Sequence, residues 1–158
     1  MNAGMPALQR AFERAGFRNV GTVLSSGNVV FDADARLSRN IEHRAEDALQ
    51  AELGRSFWTV VRTTDHLRQL LATDPYAAFA VAPQAKRVVS FLREPPATPP
   101  ALPMGSEGAH LLSLVGCELF TAYVPGDKGP VFMRLIEKAF GTALTTRTWE
   151  TVRKCARA

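Results

Sequence analysis

The sequence predicts an α+β protein, and three observations carry that reading. Short runs rich in β-branched and aromatic residues recur at 20–25, 28–32, 57–62, 86–93, 110–115 and 118–124, each of strand length. Between them lie stretches whose apolar residues return every three to four positions, the spacing of a helix face. Their order is helix, strand, strand, helix, strand, helix, and then a strand-rich second half, which is not a strict strand–helix alternation.

The first element is a helix over 6–15. Pro6 suits its first position, where a missing N–H costs nothing. Leu8, Ala11, Phe12 and Ala15 form one apolar face, and Gly16 stands where a left-handed cap ends a helix. Strands over 20–25 and 28–32 follow, joined by a turn or bulge at Ser26-Gly27. Ser38 is a good cap for a second helix bearing Ile41, Ala45, Ala48, Leu49 and Leu53, which Gly54 ends. His43 lies on its solvent face. Residues 57–62 read Phe-Trp-Thr-Val-Val-Arg and predict a third strand. Thr64 then caps a helix with Leu67, Leu70 and Leu71, halted by Asp74-Pro75. His66 in its first turn reads as a surface residue.

These elements match a ferredoxin-like βαββαβ unit with its first strand missing. That strand lies inside the sheet in this topology, so its loss opens a gap in the ladder. Strand 57–62 closes on 28–32, or another chain supplies the strand, as in a homodimer, or it lies upstream of Met1; the last is favoured. The expected division is a subdomain over 1–63 and a second α+β subdomain over 64–158, packed as one unit.

The second half opens with the strand 86–93. The Pro-rich segment 94–103 cannot supply ladder donors and is expected to be a surface connector. Strands 110–115 and 118–124 flank Gly116-Cys117, a hairpin signal. The loop 125–129 feeds a helix from Pro130, whose Val131, Phe132, Leu135, Ile136, Ala139 and Phe140 give it a wide apolar face. Residues 144–147 are extended, and Thr148 caps a last helix with Trp149, Val152 and Cys155.

Composition bounds the function. An apolar fraction of 46% and a charged fraction of 22% are ordinary for a globular protein. No run of about 18 apolar residues spans a membrane, and the first residues lack the pattern of an export signal. The expected setting is cytoplasmic, with Cys117 and Cys155 as reduced thiols. A net charge of +4 and a pI near 9.5 raise nucleic acid as a partner, although the basic residues are spread along the chain.

The inventory of reactive groups is short. His43, His66 and His110 each stand alone, with no paired-ligand spacing, so no metal site is expected. No GxSxG elbow, GxGxxG fingerprint or phosphate-loop spacing occurs, so no cofactor and no catalytic residue is assigned. Two polar clusters remain. Ser25, Ser26, Gly27 and Asn28 place two hydroxyls, an amide and an unhindered backbone at one strand bend, and the same residues serve turn geometry. Thr145, Thr146 and Arg147 precede a helix start that favours anions, with Trp149 as a flat wall. The competing account there is a hydroxyl-capped helix with Trp149 in the core.

Taken with the first helix and the end of strand 57–62, the segments Ser26-Gly27-Asn28-Val29-Val30-Phe31 and Thr146-Arg147-Thr148-Trp149-Glu150-Thr151-Val152 resemble the bacterial domain of unknown function 1697 family. The resemblance runs in order along the chain. It implies a ferredoxin-like first subdomain with a second α+β subdomain, and supplies no activity. It also implies an extra N-terminal strand and a loop rich in Arg, Gly and Asn, of which Met1-Asn2-Ala3-Gly4 remain here. Members commonly carry Asn in place of Thr148 and Glu150, and Glu150 weakens anion binding at the helix start.

The reading that follows is a binding protein without assignable catalysis. Its ligand is small and anionic or phosphorylated, held where Ser25–Asn28 would meet Thr145–Trp149. The alternatives are nucleic-acid binding through a basic face, which requires exposed aromatics beside arginines on a sheet, and an enzyme of unidentified chemistry.

Overall fold

A computed structural model describes residues 4–24, 27–34, 40–55, 57–106, 108–126 and 131–158. It shows an α+β architecture with helices and two antiparallel sheets. The chain divides into two units, Met1–Thr64 with Lys154–Ala158, and Asp65–Arg153. No helix among the described residues is long and apolar enough to cross a membrane.

In the first unit, α1 (Met5–Arg14) carries Pro6 in its first turn and buries Leu8, Ala11 and Phe12. It ends as its sequence predicts. Gly16 is left-handed at φ 95°, and the Phe17 amide reaches back to the Phe12 carbonyl at 3.2 Å. β1 (Arg18–Val23) and β2 (Asn28–Asp32) form an antiparallel pair in which Val23 faces Asn28 and Thr22 faces Val29. α2 (Ile41–Leu53) adds Ala45 and Leu49 to the core, and Phe12, Phe17 and Phe31 meet with ring centroids 4.5–5.7 Å apart. Glu52 on α2 binds both Arg10 and Arg14 of α1. The helix cap expected at Ser38 lies outside the described residues.

The predicted strand 57–62 is corrected. Residues 57–63 form no ladder among the described residues, where this unit's sheet holds β1 and β2 alone. The segment instead runs back along α2. The Thr59 amide donates to Glu46 at 3.2 Å and the Val61 amide to Glu42 at 2.8 Å. Carboxylates four residues apart on a helix are about 6 Å apart along its axis, close to the two-residue repeat of about 6.6 Å in extended chain. The helix thus supplies the acceptors that a neighbouring strand would have supplied.

In the second unit, α3 (Thr64–Thr73) begins at the boundary and buries Leu67 and Leu70. The sheet has the order β4-β5-β6-β3-β7, with β3 at Lys86–Leu92, β4 at Met104–Ser106, β5 at Ala109–Val115, β6 at Glu118–Tyr123 and β7 at Leu144–Thr148. All neighbours are antiparallel. The Pro-rich connector leads directly into β4, a strand too short to show an alternating pattern. Residues 144–147 are extended as expected and serve as the edge strand β7. One sheet face packs Leu92, Leu111 and Leu119 with Ile136 of α4 (Val131–Phe140). The opposite face carries Val89, Phe91 and Phe120, and there Phe120 meets Tyr76 and Trp149, the first residue of α5 (Trp149–Arg157).

Candidate functional site

Register decides which side chains share the face that bears Tyr76. Glu118 pairs with Phe91, which pairs with Thr145; Phe120 pairs with Val89, which pairs with Arg147. Cross-strand partners project on one side of a sheet and alternate along each strand. Thr145 and Arg147 therefore share a face with Glu118 and Phe120, while Thr146 projects oppositely and bonds Ser90 Oγ at 2.7 Å.

Four predicted site residues thus lie together at the β7–α5 junction, in different roles. Thr145 and Arg147 are half-buried on the same face, and Arg147 Nη1 donates to the Thr146 carbonyl at 2.9 Å. Thr146 is engaged with Ser90. Trp149 is 5% exposed, set edge-on to Tyr76 and Phe120 at 5.3 and 6.1 Å. It belongs to the core and offers no open stacking wall. Thr148 caps α5 through a 3.1 Å bond from the Thr151 amide, as its sequence predicts. Glu150, the acid beside this helix start, is held by Arg153 at 2.9 Å.

Of the other cluster, Ser25 and Ser26 lie outside the described residues. Gly27 and Asn28 belong to the first unit. Gly27 adopts φ 82°, and the side-chain amide of the buried Asn28 donates to the Val23 carbonyl at 3.1 Å, linking the facing ends of β2 and β1.

His66 lies at the surface, as its place in the first turn of α3 predicts, and it also has a partner there. Its Nε2 lies 2.5 Å from Glu118 Oε1; the ring is 41% exposed and the carboxylate side chain 4%. The signal missing from the sequence is distance: 52 residues separate the two, and α3's periodicity reports only its own helix. Nearby, burial pushes the Tyr76 hydroxyl well above the usual tyrosine range. Arg87, exposed on β3, places its guanidinium carbon 5.4 Å from the Tyr76 ring centroid.

Among the described residues no group of three or more potential metal ligands occurs. Cys117 and Cys155 form no disulfide among the described residues, and Cys117 Sγ lies 3.8 Å from the Arg93 carbonyl oxygen. An open groove of about 840 Å³ runs along α1 and α2, lined by Arg14, His43, Arg44, Asp47 and Glu52 among others. Its charges are of both signs, and Arg14 is already bound to Glu52.

No curated protein and no solved structure matches the chain. A family model does match, over residues 2–110. The span covers the β1–β2 segment quoted for the resemblance and stops short of the Thr146–Val152 segment. Because the match covers more than half of the chain, the protein belongs to the family described as "Protein of unknown function (DUF1697)".

Proposed function

We propose that this chain binds a small anionic or phosphorylated ligand at the β7–α5 junction of its second unit. The observation that carries the reading is Arg147. It is a half-buried guanidinium on the sheet's edge strand, on the same face as the Thr145 hydroxyl and two residues before α5 begins. A guanidinium fork matches the oxygens of phosphate or carboxylate, and the amides of the first helical turn add positive potential. Burial of Trp149 narrows the site to polar contacts, so affinity comes from charge and hydrogen bonding.

Small-ligand binding is favoured over nucleic acid because Tyr76, Phe91, Phe120 and Trp149 are all buried, and stacking on a sheet needs them open. A thermal-shift screen with inorganic phosphate, nucleotides and small phosphate esters tests the reading. A ligand at 100 times its Kd adds about 2.7 kcal/mol of stability, and Arg147→Gln is expected to abolish the shift. Absence of any shift across the screen overturns it.

A further inference from the structure

We infer that Arg87 is a second cationic contact of the same site, and that the ligand's charged group is a dianionic phosphomonoester. The inference rests on the proposed binding at Arg147 and adds the class of anion.

Arg87 stands two residues before Val89 on β3, and Val89 is the cross-strand partner of Arg147. Both arginines therefore project from one face. The pairing of Val88 with Thr148 sets Arg87 diagonal to Arg147 across neighbouring antiparallel strands. Such diagonal positions lie about 7–8 Å apart, within reach of long side chains.

Arg87 is held in place by a ring and not by an acid. Its guanidinium lies 5.4 Å from the centroid of Tyr76, itself fixed by a 2.6 Å bond from its hydroxyl to the Val88 carbonyl. No carboxylate pairs with Arg87 among the described residues. The acid at the start of α5, Glu150, is turned to Arg153. Stacking on an aromatic face orients a guanidinium while leaving its N–H donors directed outward.

An anion placed between two guanidinium groups is attracted to both in proportion to its charge. A phosphomonoester carries close to two charges above about pH 7, its second ionisation lying near pH 6. A diester carries one. The geometry favours the monoester.

The test is a titration of the full chain with phenyl phosphate and with dimethyl phosphate, at pH 8 and matched ionic strength. Isothermal calorimetry is run on wild type, Arg87→Gln, Arg87→Lys and Arg147→Gln, each confirmed as folded by circular dichroism. Loss of one charge-assisted contact weakens binding about tenfold or more. The expected result is that wild type prefers phenyl phosphate, that Arg87→Gln weakens phenyl phosphate about tenfold and erases the preference, and that Arg87→Lys restores part of it. If Arg87→Gln binds phenyl phosphate like wild type while Arg147→Gln does not bind, the two-arginine inference is overturned and the Arg147 reading stands. If wild type binds neither ester at millimolar concentration, both fail.

Discussion

Tyr76 is 1% exposed, and its hydroxyl donates to the Val88 carbonyl with the Thr121 carbonyl 3.3 Å away. Tyr76→Phe keeps the ring among Phe120 and Trp149 and deletes only that donor. A loss of about 1–2 kcal/mol in urea unfolding is expected. Burial also sets a pH dependence. The native hydroxyl keeps its proton above the ordinary tyrosine pKa of about 10, whereas the unfolded chain releases it there. The stability this group contributes is therefore complete below about pH 10 and lost as pH rises beyond it. Urea midpoints followed upward from pH 9 should fall more steeply for wild type than for Tyr76→Phe; parallel curves would show that burial does not hold the proton. At this scale the sequence is legible where a residue acts on its own neighbours. Thr148 and Gly16 do what their positions foretell. Glu118 and His66 were illegible because their partnership is made by the sheet, across 52 residues.

The extended stretch 57–63 shows what β-propensity does and does not specify. Phe57, Val60 and Val61 favour extended backbone, but propensity does not say which acceptors the amides will find. Here Glu42 and Glu46 provide them. Glu42→Ala and Glu46→Ala should each lower stability by about 1 kcal/mol, because a half-buried amide loses its acceptor. The Gln variants, which keep a side-chain oxygen, should lose less. Equal stability of the Ala variants and wild type in urea melts would mean the amides find other acceptors. The short strand β4 leaves no sequence signal for a different reason: three residues cannot display a period of two, and the prolines before it mask the transition. β5 and β6 are legible as apolar runs on either side of Gly116-Cys117, and α4 as an apolar stripe at helical spacing.

For the whole molecule, mixed α+β character follows from the element order, whereas the assembly of elements does not. Hydrophobic spacing marks the residue that faces a core but not which core it faces. Thus α5 shows one apolar stripe, yet its residues from Lys154 onward group with the first unit while its start belongs to the second. The order β4-β5-β6-β3-β7 likewise depends on long-range pairing. In particular, β7 joins β3 after more than 50 residues of intervening chain. The candidate site has the same history: Arg147 and Thr145 stand out as a local cluster, and Arg87 enters only once β3 and β7 are neighbours.

The chain contains two tryptophans, and their placement gives each unit its own optical reporter. Trp58 in the first unit is 46% exposed, and Trp149 in the second is 5% exposed. Acrylamide quenching of native fluorescence should therefore bend downward as the accessible indole is extinguished first. In Trp58→Phe the emission should shift to the blue and resist the quencher; a straight, steep quenching line from that variant would show the second indole to be open. With both emissions assigned, one denaturant series followed in wild type and in Trp58→Phe would report whether the two units lose their structure together or in turn.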